Sequence, residues 1–233
     1  MSGDGVIWPE LVPPSHETAR HAVITLGIDT CLNACGVAVV DDARVLARAS
    51  EPMVRGHQER LAPLAQETLA AAGLKFSDLE RIGVTVGPGS FTGLRVGLAF
   101  AKGLAAALGL PAAGVGVLEA LAAAAPDGLA VAAVDARREQ VYLQAFRDGA
   151  SLFDPRACGL EDAARLVAAL LDGEPATLIG SGGPLLAAGL PTARLVPAEG
   201  ADPAIVARLA AARPAAPLAP LYLRAPDARL PAA

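Results

Sequence analysis

The sequence predicts an α/β protein with two similar lobes, each built on a mixed sheet flanked by helices. Two observations lead to this fold class. A buried strand, a tight turn and a long helix follow one another over residues 82–108. A strand that ends in Asp29 is followed by a hairpin, and about a hundred residues later a strand that ends in Asp135 is followed by a second hairpin. We therefore expect a duplicated unit that divides near residues 108–112.

The strand–turn–helix segment is the strongest local signal in the chain. Its β-branched residues at 82–86 favour a strand, and the Gly-Pro-Gly run at 87–89 favours a turn. Ser90 or Thr92 is expected to cap the helix, because a hydroxyl oxygen can accept from a free backbone N–H. The helix is predicted to end near Leu108, before a glycine.

This turn does not have the residues of a P-loop. A P-loop places a lysine and a hydroxyl residue after its last glycine, whereas Gly93 is followed by Leu94 and Arg95. We therefore interpret the glycines as turn residues rather than as a phosphate cradle.

The rest of the first lobe is predicted from short apolar runs and one apolar helical stripe. Tight connections between the runs are typical of an antiparallel meander. Residues 1–22 contain three prolines without a clear period and are expected to form an irregular extension. The predicted elements are strands over residues 23–29, 35–41 and 45–49 and a helix over residues 57–72.

The second lobe is predicted in the same way, with Pro-Asp-Gly at 126–128 as a turn. Asp202 and Pro203 have the residue types of a cap and first position, so they are expected to open the last helix. The predicted elements are strands over residues 112–115, 129–135, 140–147 and 176–179 and helices over residues 118–125, 161–171, 185–188 and 203–212.

Composition limits the classes of function. Hydrophobic residues make up 53% and charged residues 18%, which indicates a well-filled globular core. Aromatic residues are only 3%, so that core is aliphatic. The net charge of −5 argues against a chain that grips nucleic acid by itself, since such proteins usually carry a basic surface.

Cysteine usage and the apolar segments suggest a cytoplasmic location. Three scattered cysteines do not form a disulfide framework, so we expect reduced thiols. Residues 1–21 lack the apolar core of a signal peptide. The apolar stretch over residues 98–125 is interrupted by Lys102, Pro111 and Glu119, so no membrane span is expected there.

The run Gly-Pro-Gly-Ser-Phe-Thr-Gly-Leu-Arg-Val-Gly at 87–97 resembles the signature of the bacterial TsaB (YeaZ) family. Asp-Ala-Arg at 135–137 with Val-Tyr at 141–142 resembles the second hairpin of that family. Pro-Leu-Tyr-Leu-Arg at 220–224 resembles its C-terminal segment. The resemblance extends over about residues 23–224.

The resemblance implies the two-lobed actin/Hsp70-like ATPase fold, which is ribonuclease H-like. On this basis the chain is divided into an irregular extension at 1–22, an N-terminal lobe with dimerisation helices at 23–110, and a C-terminal lobe and tail at 111–233.

The resemblance also implies a degenerate nucleotide cleft. Enzymes of this fold use an aspartate followed by glycine and threonine to hold metal and phosphate. Here Asp29 and Thr30 lack the glycine that lets a backbone approach phosphate, and Asp135 lacks it too. Gly180 and Gly182 lie where such folds hold adenosine, although they could equally serve a turn.

No metal, cofactor or protease site is expected. His16 and His21 are five apart, which does not suit a helical ligand pair. The TsaD family holds metal with two paired histidines, and the matching stretch here has His57 but Leu61 in place of the second. Ser90 has no histidine in a context that indicates a base.

The resemblance implies a non-catalytic partner of TsaD in tRNA modification. TsaD transfers a threonylcarbamoyl group onto the adenosine next to the anticodon, and TsaE, a small ATPase, joins the complex. The family implies a heterodimer with TsaD, a homodimer in isolation, contact with tRNA only through the complex, and no membrane. Helices 57–72 and 92–108 are implied to form the dimer contact.

Gly93, Gly97 and Ala101 are four apart and give one helix face that a second helix could approach closely. That second helix belongs either to the same subunit or to a partner. Under the partner interpretation, Gly97→Leu should separate the dimer and leave the monomer folded. The residues assigned to the interface are Leu61, Leu64, Ala65, Thr68, Gly93, Leu94, Gly97, Ala101 and Leu104.

Two other classes of function stay open at this point. An actin-like small-molecule kinase or ATPase predicts tight binding of Mg–ATP that is lost on Asp29→Ala. A self-contained homodimer with a structural role predicts no heterologous complex.

Overall fold

A computed structural model describes residues 23–224 apart from positions 43, 126, 188, 189 and 191. The predicted extension at 1–22 and the end of the chain lie outside the described residues. The described part contains two mixed sheets with helices on their faces. This confirms the predicted α/β class.

The first sheet has the strand order β3-β2-β1-β4-β5. The pairs β1–β2 and β2–β3 are antiparallel, while β4 runs parallel to both β1 and β5. The strands are β1 (Ile24–Asp29), β2 (Ala34–Asp41), β3 (Arg44–Pro52), β4 (Arg81–Thr85) and β5 (Ala112–Val115).

The second sheet repeats this arrangement. Its order is β11-β10-β6-β7-β8, with β9 also on β7; β6 is antiparallel to β7 and parallel to β10. The strands are β6 (Leu129–Arg137), β7 (Gln140–Arg147), β8 (Ala150–Ser151), β9 (Arg156–Gly159), β10 (Ala176–Ile179) and β11 (Ala193–Val196). The predicted duplication is confirmed at the level of topology.

In the part of the chain that the structure describes, six helices accompany the sheets, and a 3₁₀ turn lies at Phe76–Asp78. Ser90 caps α2 by accepting from the Gly93 N–H at 3.3 Å, and Asp202 caps α6 by accepting from the Ala204 N–H at 2.9 Å, as predicted. The helices are α1 (His57–Ala71), α2 (Phe91–Leu108), α3 (Val117–Ala122), α4 (Leu160–Leu171), α5 (Gly183–Leu186) and α6 (Pro203–Ala211).

The predicted lobe boundary between residues 110 and 111 is wrong. Strand β5 pairs with β4 and so completes the first sheet. Helix α6 also returns to this sheet and packs on β1, β2 and β4. Sequence position therefore assigns both elements to the wrong lobe.

Glycines on the first sheet explain why α6 packs so closely. Gly27 and Gly83 are register partners on adjacent strands. A Cβ at Gly27 would overlap the Pro203 carbonyl oxygen, and a Cβ at Gly83 would overlap the Ala210 side chain. Arg81 donates to the Ala210 carbonyl at 2.8 Å, which ties the end of α6 to β4.

Helices α1 and α2 cover the opposite face of the first sheet. Their inward side chains join Leu26 and Ile28 in one aliphatic core, which continues into the second lobe through α3. Eight of the nine residues predicted to form the dimer interface are buried in this lobe, and Leu104 is partly buried against the same core. The eight are Leu61, Leu64, Ala65, Thr68, Gly93, Leu94, Gly97 and Ala101.

The small-residue face of α2 is therefore an intramolecular contact, and its assignment to a subunit interface is wrong. A Cβ at Gly93 would overlap the Thr30 carbonyl oxygen, and a Cβ at Gly97 would overlap the Thr30 hydroxyl. The Thr30 hydroxyl donates to the Gly93 carbonyl at 2.8 Å. The glycines let α2 approach the end of β1, which leaves its other face outward.

Gly97→Ala should destabilise the fold by about 1–3 kcal/mol, because the new methyl group overpacks the contact with Thr30. Gly103→Ala is the matched control on the same helix, where a Cβ meets nothing within 4 Å. The control should stabilise by up to about 1 kcal/mol through helix propensity. Urea unfolding followed by circular dichroism measures both, and a neutral Gly97→Ala would contradict the packing described here.

Candidate functional site

Asp29 ends β1 as a completely buried carboxylate. Its Oδ1 accepts from the Thr85 hydroxyl at 2.7 Å and from the Cys31 N–H at 3.2 Å. Its Oδ2 accepts from the Ala201 N–H at 2.8 Å. One side chain thus connects β1, β4 and the segment that leads into α6.

Burial raises the pKa of the Asp29 carboxyl above its ordinary value. Desolvation is the largest cause, and the three donated hydrogen bonds and the nearby His57 oppose it. Burial also raises the pKa of the Cys35 thiol to about 11. A thiol in that range stays protonated and unreactive near neutral pH.

Asp29 and Thr30, which were predicted to lie in a degenerate nucleotide cleft, do not line a cleft in the structure. Both side chains are completely buried, and their polar atoms are committed to hydrogen bonds inside the lobe. A ligand could reach Asp29 only if the contacts to Thr85 and Ala201 opened.

A cleft of about 410 Å³ does exist between the lobes. We call it the interlobe cleft; its lining includes Asn33, Ser90, Asp135, Arg137, Ser181 and Arg224. Asp135 is therefore the predicted residue that reaches this space. Its backbone N–H donates to the Ser181 hydroxyl at 3.2 Å.

The hairpin beside the cleft closes on itself. Asp135 accepts from the Arg137 N–H at 2.7 Å and pairs with the Arg137 guanidinium at 3.1 Å. Arg137, Arg138 and Glu139 all have positive φ, between 55° and 63°. Where a phosphate-binding hairpin would bring glycine backbone to its ligand, this hairpin presents three side chains and a carboxylate that is already paired.

The two predicted adenosine-site glycines serve a turn. A Cβ at Gly180 would overlap the Ala133 carbonyl oxygen, and a Cβ at Gly182 would lie 2.9 Å from the Ala133 carbonyl carbon. The Gly182 N–H donates to the same carbonyl at 2.9 Å. These glycines let the loop after β10 pack on β6. They therefore face the protein rather than an open surface, which does not favour their assignment to a ligand site.

His57 is the first residue of α1 and is buried, with its Nε2 3.2 Å from the Ala34 carbonyl oxygen. Over the described residues, three or more His, Cys, Asp or Glu side chains nowhere cluster in a way that could hold a metal ion.

The second candidate site is an open groove of about 500 Å³ between α1 and α2. We call it the helix groove; its lining includes Gln58, Ala62, Phe91, Arg95, Val96 and Ala99. Helix α2 has a mean hydropathy of 1.3, and only 28% of it is buried. By length and composition alone it could cross a membrane, but its glycine face is packed inside the lobe. Over the described residues, the outward side chains of α2, among them Phe91, Arg95 and Ala99, stay exposed.

Arg95 is exposed on α2 and belongs to a cluster that the sequence did not predict. The Arg95 guanidinium carbon lies 3.6 Å from the centre of the Phe91 ring, and its Nε–H donates to the Tyr222 hydroxyl at 3.3 Å. The Phe91 and Tyr222 rings are 5.8 Å apart. The sequence signal that could have indicated this cluster is the pair of aromatic residues Phe91 and Tyr222, in a chain with only 3% aromatics.

Asp29→Asn should remove a pH dependence of stability. Because the folded pKa of Asp29 is raised, the native state holds a proton that the unfolded chain releases near pH 4. The wild type should therefore lose stability relative to Asp29→Asn as the pH rises from about 4 to the folded pKa. Urea unfolding of both proteins between pH 4 and 7 measures the difference, and a difference independent of pH would contradict it.

The model of the family described as TsaD, tRNA N6-adenosine threonylcarbamoyltransferase, matches residues 46–176, which is more than half of the chain.

Relatives at the sequence level agree with this match. An uncharacterized protein of Mycobacterium tuberculosis is 37% identical over 206 residues, covering 88% of this chain and 93% of that protein. Escherichia coli TsaB, a tRNA threonylcarbamoyladenosine biosynthesis protein, is 40% identical over 121 residues, or 50% of this chain and 52% of TsaB.

Solved structures agree as well. YeaZ from Pseudomonas aeruginosa is 27% identical with a TM-score of 0.75, covering 86% of this chain and 100% of YeaZ. Component A of (R)-2-hydroxyglutaryl-CoA dehydratase from Acidaminococcus fermentans has a TM-score of 0.51 at 13% identity, covering 81% of this chain and 98% of its own, which supports the actin-like fold alone. The chain therefore belongs to the TsaD-like family, and within it to the TsaB (YeaZ) branch.

Proposed function

We propose that this chain is an accessory subunit in the synthesis of threonylcarbamoyladenosine in tRNA. It would pair with a TsaD-family threonylcarbamoyltransferase through the helix groove and leave the chemistry to that partner. The names of its TsaB relatives support a role in this synthesis. The mostly apolar groove between α1 and α2, which no described residue fills, supports the partnership.

The interlobe cleft supports a role without group transfer. Phosphoryl transfer depends on groups that position and neutralise the phosphates. Here Asp29 is saturated by three donors, and Asp135 is paired with Arg137. The kinase alternative would need both carboxylates to leave these partners, so the geometry does not favour it.

The helix groove supports a protein occupant. Its lining is mostly apolar, and it lies on two helices whose inner faces fix them to the sheet. Such a pre-formed apolar surface of two helices suits a second helix pair, which would bury apolar area and exclude water. TsaE and tRNA would then meet the assembly through the transferase, and any self-association would use the same groove.

Ala99→Glu should disrupt the complex with the transferase of the same organism. Ala99 is exposed in the groove, and a complex would bury the new carboxylate among apolar groups, which weakens binding by about a hundredfold or more. Ala168→Glu is the matched control, an exposed helical alanine on α4 of the other lobe.

The measurement is the mass of the mixed proteins by size exclusion with light scattering. The wild type and Ala168→Glu should give a one-to-one complex, and Ala99→Glu should give separate proteins. Absence of a wild-type complex, with or without TsaE and ATP, would overturn the proposed partnership. An intact Ala99→Glu complex would instead move the contact to another surface.

A further inference from the structure

We propose that Arg95 makes the helix groove selective for a heterologous partner over a second copy of this chain. The partner it fits is a helix pair that presents a carboxylate opposite Arg95. This inference rests on the proposed function, since it concerns the occupant of the same groove.

Arg95 is held in place before any partner arrives. Its guanidinium stacks on the Phe91 ring at 3.6 Å, and its Nε–H donates to the Tyr222 hydroxyl. Over the described residues, its two terminal nitrogens have no hydrogen-bond partner, so their four N–H groups stay available to a ligand. Stacking fixes the plane of the guanidinium, which reduces the entropy lost when a carboxylate binds it.

Tyr222 is a positioning residue delivered by the C-terminal segment. Leu218 is buried in the first-lobe core, and the Leu221 N–H donates to the Val86 carbonyl at 2.7 Å. Beyond them, Arg224 donates to the Ala136 carbonyl at 2.8 Å. The segment is thus anchored on both sides of Tyr222, which keeps its ring against Phe91 and its hydroxyl at Arg95.

Charge decides between the two kinds of occupant. Arg95 is the charged side chain in the groove lining, and no carboxylate lies among the described lining residues. A symmetric dimer brings the same patch from both copies together. Each Arg95 would then be desolvated against a surface without a counter-charge, which is costly. A different protein with a carboxylate at that position would satisfy the bidentate geometry of the guanidinium.

The test compares two dissociation constants for each variant: that of the complex with the TsaD-family transferase and that of self-association, both by sedimentation. Arg95→Gln should weaken the heterologous complex by about tenfold or more and leave self-association unchanged or tighter. Lys102→Gln is the matched control, because it removes an exposed cation from α2 outside the groove lining. Circular dichroism melting checks that each variant is folded.

Two further measurements distinguish an ion pair between Arg95 and a partner carboxylate from a contact that depends only on shape complementarity. The heterologous affinity of the wild type should fall with added salt more steeply than that of Arg95→Gln. Tyr222→Ala should weaken the complex less than Arg95→Gln, and the double variant should be no weaker than Arg95→Gln alone, because Tyr222 acts through Arg95.

The outcomes are distinguishable from those of the proposed function. If the wild type forms no heterologous complex, the proposed function fails. If the complex forms but Arg95→Gln and Lys102→Gln weaken it equally, the selective role of Arg95 is overturned. The same holds if neither substitution weakens the complex. Equal weakening of both associations by Arg95→Gln would also overturn it, since the arginine would then be a general contact.

Discussion

The buried carboxylate of Asp29 is the interaction on which the rest of the structure depends. It lies at the end of β1 and accepts hydrogen bonds from the neighbouring strand and from the segment that starts α6. A buried carboxylate is tolerated only when such donors surround it. The donors that stabilise Asp29 inside the lobe also occupy the oxygen atoms that a ligand would need. In this chain the Asp29 side chain serves as a structural connection between β1, β4 and the segment before α6.

The same end of β1 determines which surface the protein offers to others. Thr30 contacts Gly93 and Gly97, so the glycine face of α2 packs directly against the end of β1. Phe91, Val96 and Ala99 then lie on the side of α2 that lines the helix groove, next to α1. The burial of Thr30 and the exposure of a helix pair therefore arise from one set of contacts. This combination fits the accessory role proposed above.

Local chemistry in the sequence predicted the elements well, while their placement depended on distant residues. The strand, turn and capped helix at 82–108 follow from adjacent residues, and so does the cap of α6. Periodicity showed that Gly93 and Gly97 share a face, but it could not show that Thr30 covers that face. The docking of α6 depends on glycines more than a hundred residues earlier. Tyr222 contacts Arg95 across 127 positions, and no local pattern contains that pairing. The short strands β8, β9 and β11 lack a run long enough to show alternation.

Under the proposed function, a partner binds this protein at α1 and α2 and not at the interlobe cleft. Hydrogen–deuterium exchange of the chain with and without the TsaD-family transferase tests it most directly, because exchange reports protection segment by segment. We expect new protection in peptides from residues 57–71 and 91–108 and none in the hairpin at 134–141. Protection confined to that hairpin and to residues 29–34 would contradict it.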